Sequence, residues 1–383
     1  MKKLFWFLSL SSLLSILILT SPLLANSIID IRFWSAPDHT RIVLDLSGPI
    51  EYRTISKGDP LQYHLELFSI TSLPKTSEID INDPHLSKLT LSLIEKGKAN
   101  LVLYQKKPLS AHPFLLKPYL NKPYRLVIDL IDLHQEQKEQ EDRQRQKEIQ
   151  PKGTKIVVID PGHGGEDSGA VGPQKTMEKD IVLKVGEKIL SLLAPQKGIK
   201  AFLTRKGDYF IPLEQRVRIA REYKADLFIS LHTDGSFNPQ ARGSSVYCLS
   251  LSGATDQAAK VLADKENMSN ILGGAFLRPA SLSPDPHVNQ ILFDLLQNYS
   301  MRESFRFAEG VLEEMKKINH LKYTTYRQAN FIVLRAPDIP SVLVELAYIT
   351  NKKDEQMLNH PEFQEKMARA IVNAIQKYFD LIY

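Results

Sequence analysis

From His134 to Gly153 the chain runs HQEQKEQEDRQRQKEIQPKG, twenty residues in which Ile149 is the single large apolar side chain. Such a stretch cannot bury surface, so it divides the 383-residue chain into two separately cored bodies joined by a solvated helix or flexible spacer. The flanks differ in rhythm. Before it, TRIVLDLSG, LQYHLELF, ANLVLYQK and YRLVIDLID alternate apolar and polar residues as half-buried strands do, with Pro, Gly, Asn and Asp clusters between them. Residues 28–133 are therefore expected to form a small all-β sandwich. No pair of residues in it looks catalytic, and His39, His64, His85 and His112 are read as satisfied surface or core histidines. After it, KIVVID, KAFLTR, DLFISLH, GSSVYCLSL and PSVLVELAYI alternate with segments of helical periodicity, and EFQEKMARAIVNAIQKYF closes the chain as an amphipathic helix. Residues 154–383 are expected to be an α/β domain, a mostly parallel sheet with helices on both faces and chemistry at the carboxyl ends of its strands.

The N-terminus, MKKLFWFLSLSSLLSILILTSPLLANS, has a short basic start, a long apolar run and small residues before Asn26. That is the layout of a secretory signal over residues 1–25. A membrane anchor is the alternative, because the run approaches the length needed to span. Cleavage implies an exported protein, with the periplasm as destination and no stable membrane insertion afterwards. A net charge of +5 without a concentrated basic stripe speaks against nucleic acid as a partner. Cys248 is the only cysteine, so no internal disulfide can form.

The loop VVIDPGHGGEDSGAVGP, Val157–Pro173, follows an apolar strand and is crowded with glycine around His163. It lacks both GxxxxGK[ST] and GxGxxG, since Asp167 falls where the third glycine would stand. A phosphate cradle is therefore disfavoured, and a metal needs partners. DLFISLH also ends in a histidine, His232, and Glu178 begins the helix after the loop. Two His and one Glu form a catalytic zinc set with a fourth position open to water. Taken alone, Glu178 is also an ordinary acidic residue at a helix N-terminus. In IPSVLVELAYITN, Glu345 interrupts an apolar strand, where a carboxylate is costly unless paired or functional. At the strand's end it would serve as general base and then general acid, with burial raising its pKa.

Together IDPGHGGEDSGAVGP, Glu178, TRKGDYFIPLEQRVRIARE, ADLFISLHTD and FIVLRAPDIPSVLVELAYITNKKDEQML resemble the zinc-dependent N-acetylmuramoyl-L-alanine amidases. The resemblance implies that His163, Glu178 and His232 bind zinc and that Glu345 is the catalytic carboxylate. The substrate would be the peptidoglycan amide between N-acetylmuramic acid and L-alanine. Arg205 and Arg216 match basic positions of the motif and either shape the sheet's end or meet an acidic substrate. Where the family commonly has Ala-Asn-Ala after SLH, this chain has Thr233-Asp234-Gly235, which points to altered substrate contacts around Asp234. The N-terminal region looks like the AMIN targeting domain that precedes such catalytic domains. The long segment after Ser252 resembles the insertion of the cell-division members, at about residues 262–300. In those relatives an activator protein displaces its helix from the zinc. By that resemblance Glu266, in KENMSNILGG, would reach the metal as an inhibitory ligand; a Glu merely facing solvent is the alternative. Ile291, Leu292, Leu295 and Leu296 form either the activator's docking face or core. A zinc peptidase acting within the stem peptide, and a catalytically silent wall-binding scaffold, are the competing readings.

Overall fold

The computed structural model describes residues 26–55, 58–95, 97–119, 121–274 and 287–381, with the side chains of 287–295 and 381 outside that description. The leader expected over residues 1–25 therefore lies outside the described residues, as do the side chains of Ile291, Leu292 and Leu295; Leu296 is exposed.

The N-terminal region is all β: β1 (Asn26–Ser35), β2 (His39–Leu46), β3 (Tyr52–Ile55), β4 (Gln62–Ser72), β5 (Glu78–Asp80), β6 (Leu86–Glu95), β7 (Gly97–Gln105), β8 (Ser110–Leu116) and β9 (Tyr124–Ile131). They run in the order β5-β6-β7-β4-β1-β2-β9-β8, with β3 against β4. Every pairing is antiparallel except a short parallel contact of β1 with β4, where the two halves of the sheet meet. Ile42 and Leu44 of β2, Leu126 and Ile128 of β9, Leu65 and Leu67 of β4, and Leu101 and Leu103 of β7 share one core. The halves thus fold onto each other as a sandwich. The alternation of β2 and β9 suggests one wet face, and here the structure differs. Arg41, Val43, Arg125, Val127 and Asp129, on the face away from that core, are buried as well.

Helix α1 (Leu133–Ile149) occupies the polar stretch and buries none of its residues. Asp132 caps it by accepting from the Gln135 N–H. Arg143 bonds to Glu222 at 2.6 Å and Lys147 to Asp226 at 2.5 Å, so charge rather than apolar packing docks this helix.

The C-terminal region contains β10 (Lys155–Pro161), α2 (Glu178–Leu193), β11 (Ile199–Leu203), α3 (Leu213–Glu222), β12 (Leu227–Asp234), β13 (Ser245–Leu249), α4 (Gln257–Asn267), α5 (Ser269–Gly273), α6 (His287–Met315), β14 (Arg327–Ala329), β15 (Ser341–Tyr348), α7 (Lys352–Asn359) and α8 (Pro361–Leu381). The sheet order is β11-β10-β12-β15-β13-β14, parallel except for β13 against β15. Alternate residues of β10 feed opposite cores, which explains its unbroken apolar run. Val157 and Ile159 pack with α2, α6 and α8, while Ile156 and Val158 pack with α3 and α4. This doubly covered sheet brings the carboxyl ends of β10, β12 and β15 to one edge.

Phe307 of α6 sits in the first of these cores, its ring edge-on to Tyr378 with centroids 5.4 Å apart. Phe307→Ala is expected to lower the unfolding free energy by about 3–5 kcal/mol, read as a fall in the urea midpoint followed by circular dichroism.

Candidate metal centre

The site begins with the loop after β10. Two fully buried guanidinium groups hold it. Arg205 donates to the carbonyls of Pro161 (2.9 Å), Gly162 (2.9 Å) and Lys179 (2.8 Å). Arg216 donates to Pro161 O (2.8 Å), His163 O (2.7 Å) and the Asp160 carboxylate (2.9 Å). Three successive carbonyls are thereby aimed inward, and the backbone at His163 takes the left-handed conformation, φ 58°, uncommon for a residue with a side chain. Burial and the neighbouring Arg216 charge lower the Arg205 pKa to about 10. Neither arginine presents its head group to a substrate; both shape the turn.

His163 directs its Nδ1 at Asp167 Oδ2, 2.8 Å away. That contact orients the ring and leaves Nε2 facing the site. Asp167 also accepts from the Gly169 N–H at 3.0 Å and from the Ser269 hydroxyl. Glu178, first residue of α2, is fully buried and pinned by two backbone donors, Ala170 N–H and Thr233 N–H, each at 2.8 Å. Gly169 lies against this pair at φ +65°, where a Cβ would strike both Glu178 and His163.

His232, on β12, presents Nδ1 to Glu178 Oε1 at 3.1 Å, and His163 Nε2 is also 3.1 Å from that oxygen. The fourth member comes from the last turn of α4. Glu266 Oε2 lies 3.2 Å from His163 Nε2 and 3.1 Å from His232 Nδ1. Nitrogen and oxygen alternate around one centre, all four donors buried and within 4.8 Å of one another. Edges of 3.1–3.2 Å place each donor about 2 Å from that centre, the bond length of zinc to His nitrogen or carboxylate oxygen. Among the described residues, His163 Nε2 and Glu266 Oε2 have no hydrogen-bond partner despite burial, as expected of donors facing a cation. The residues fit a zinc ion.

Electrostatics follow this layout. Burial opposes the charged form of His163, but Asp167, Glu178 and Glu266 outweigh it and raise its pKa well above the usual histidine range. Burial likewise opposes ionised Glu266, and Lys265, His232 and His163 overcome it, holding its carboxyl well below the carboxylate range. Lys265 Nζ stands 3.0 Å from Glu266 Oε1.

Glu345 pairs in register with His232 across β12 and β15. It is fully buried, with neither carboxylate oxygen hydrogen-bonded among the described residues. Burial and the charges of Asp234, Glu178 and Glu266 push its pKa well above the usual carboxylate range. Asp234 is buried beside Tyr348, with Lys265 nearby. The space left among Gly162, His163, His232, Glu266 and Ser269 is no larger than a water molecule.

Sequence reasoning missed Asp160, Asp167 and Ser269. Asp160 is fully buried and accepts from Arg216, Thr204 (2.6 Å) and Ser230 (2.9 Å). A second acidic residue four positions after a candidate ligand His was the available signal for Asp167.

The family described as N-acetylmuramoyl-L-alanine amidase matches residues 157–377. A curated relative, N-acetylmuramoyl-L-alanine amidase AmiC of Escherichia coli O6:H1, is 34% identical over 379 residues, covering 92% of this chain and 90% of its own. N-acetylmuramoyl-L-alanine amidase AmiA of Escherichia coli K12 is 41% identical over 227 residues, covering 59% of this chain and 77% of its own. Among solved structures, N-acetylmuramoyl-L-alanine amidase AmiC2 of Nostoc punctiforme shares 30% identity with a TM-score of 0.42, covering 60% of this chain and 99% of that one.

Burial disfavours ionised Asp160, yet Arg216, Thr204 and Ser230 hold its pKa below the usual aspartate value. Its stabilisation is complete above the unfolded pKa of about 3.9 and is lost as pH falls through the lower folded value. Asp160→Asn is expected to reduce stability by about 3 kcal/mol at pH 7, because it strands a buried guanidinium. Urea denaturation across pH should show that deficit shrinking below about pH 4.

Proposed function

The chain belongs to the N-acetylmuramoyl-L-alanine amidase family and is a peptidoglycan amidase of the cell wall; on that premise we propose a zinc-dependent hydrolase that its own Glu266 holds closed. The scissile bond is the amide joining the lactyl group of N-acetylmuramic acid to L-alanine of the stem peptide. His163, Glu178 and His232 hold the metal. Zinc, when bound, supplies Lewis-acid polarisation of the scissile carbonyl and acidification of a water. The chain's residues do the rest. Asp167 fixes the His163 ring, and two backbone N–H groups fix Glu178, so the donors are set before substrate arrives. Glu345 takes the proton of the attacking water and delivers it to the leaving alanine nitrogen. Its burial without hydrogen bonds among the described residues supports this role, because burial and the neighbouring carboxylates raise its pKa and so favour its taking up the proton it must later deliver.

The observation that carries the closed state is the placement of Glu266 Oε2 within 3.2 Å of both imidazole nitrogens, where water and substrate carbonyl must come. Helix α4 carries this residue, and its last turns, with α5, fall within the proposed regulatory insertion at about 262–300. An activator protein that lifts them would open the site. The same reading takes residues 1–25 as a leader removed on export to the periplasm, 28–133 as an AMIN-like targeting domain, 134–153 as linker and 154–383 as the catalytic domain.

Glu345→Gln is expected to reduce peptide release from purified peptidoglycan by at least about 100-fold, while metal analysis still finds one zinc per chain. Loss of zinc in that variant would instead make Glu345 a ligand. Glu266→Ala, and a form lacking residues 264–300, should release L-alanine-initiated stem peptides at least about tenfold faster than the intact protein, scored by mass spectrometry. Unchanged release would remove the brake, and fragments cut within the stem would identify a peptidase.

A further inference from the structure

The buried outer face of β2 and β9 has a specific cover: the loop carrying Glu166 and the end of α5. The Glu166 side chain is fully buried among three cations of the β region. Arg125 Nη1 and Lys122 Nζ each lie 3.0 Å from Oε1, and Arg32 bonds to Oε2. Arg125 also donates to Leu272 O at 2.7 Å, and Arg41 donates to Gly273 O. These are the last carbonyls of α5. Arg41 is itself locked by two bonds of 2.7 Å to Asp129, its guanidinium over the rings of Phe114 and Phe210. Beyond α5, Gly274 turns at φ +65° so tightly against Phe114 and Leu116 of β8 that a Cβ there would clash. Tyr119 adds a contact to Met268.

We infer that the β region is a latch on the catalytic site: Arg41 and Arg125 hold the α4–α5 segment in the position that seats Glu266, and Glu166 locks that segment's support to the same surface. The inference rests on the reading that Glu266 closes the site. Two routes converge on His163. One runs from α5 through Ser269 to Asp167; the other runs from Arg125 through Glu166 to its chain neighbour Asp167. Opening therefore requires parting the β region from α5, and by linkage whatever draws the β region away favours the open site. The partner that surface accepts is thus internal, an acidic side chain and a set of helix-end carbonyls, matched by charge-assisted hydrogen bonds.

The test compares the full-length zinc-loaded protein with Arg125→Ala, the rim pair Arg32→Ala/Lys122→Ala, Glu266→Ala, and Glu266→Ala/Arg125→Ala. Hydrogen exchange over residues 266–274 and peptide release from peptidoglycan are read on each, and thermal melting checks folding. Arg125→Ala should speed exchange in that segment about tenfold and raise release several-fold, the rim pair acting in the same direction. The double variant should release no faster than Glu266→Ala, since both changes open one state. Unchanged exchange and release in folded Arg125→Ala and rim-pair proteins would overturn the latch while leaving the Glu266 brake standing. Were Glu266→Ala inactive as a release, the brake would fall. Exchange over 266–274 would then decide the latch alone, faster exchange supporting it and unchanged exchange removing it. Should Arg125→Ala fail to fold, the rim pair, whose two side chains are each 24% exposed, carries the same decision.

Discussion

Two positive charges buried side by side are the constraint on which the site depends. Arg205 and Arg216 meet under the turn after β10, and mutual repulsion with burial lowers the Arg205 pKa to about 10. They are tolerated because their donors are matched by the carbonyls of Pro161, Gly162, His163 and Lys179 and by Asp160. Each matched pair fixes a segment of backbone. The turn cannot relax without orphaning a guanidinium, and so His163 keeps a left-handed backbone that it would leave if free. From that one forced residue the imidazole points to Glu178 and His232, and the sheet's register brings Glu345 beside His232.

The second organising principle is the coexistence of opposed carboxylates. Glu178 is stabilised as an anion by backbone donors and the histidines, whereas Glu345, beside His232 in the sheet, has no such partners among the described residues. Identical side chains thus take opposite protonation tendencies from surroundings alone. Glu266 is held as an anion by Lys265 and the same two histidines, which ties the end of α4 to the site.

Much of this was legible in the residues. Strand-end histidines marked His163 and His232, and a carboxylate amid valines and leucines marked Glu345, because burying charge is expensive enough to be visible as an anomaly. Glu178 needed the other three for its meaning. Asp160 and Asp167 escaped because an acidic residue near a glycine-rich turn reads as solvated until its donors are known. Those donors, Thr204, Ser230, Arg216 and Ser269, come from remote parts of the chain. Nor does periodicity reveal Arg41, Arg125 and Asp129. Alternation in β2 and β9 assigns them to water, and only the docking of α5 turns that face inward. Glu266 sits in the last turn of an amphipathic helix, where nothing local separates it from a surface residue; resemblance to relatives, not pattern, pointed to it.

Helix α1 gives the arrangement a further property. At 17 residues it is a rod of about 25 Å, with no apolar anchor, gripping the catalytic region by Arg143 and Lys147. It never lets the two bodies drift apart as free molecules do. On the latch proposed above, a β region pulled off α5 would stay at an effective concentration of order millimolar, so reclosure would be unimolecular and independent of how much enzyme the compartment holds. Under the proposed latch, such a tether would make cutting a transient event, timed by how long the puller holds on.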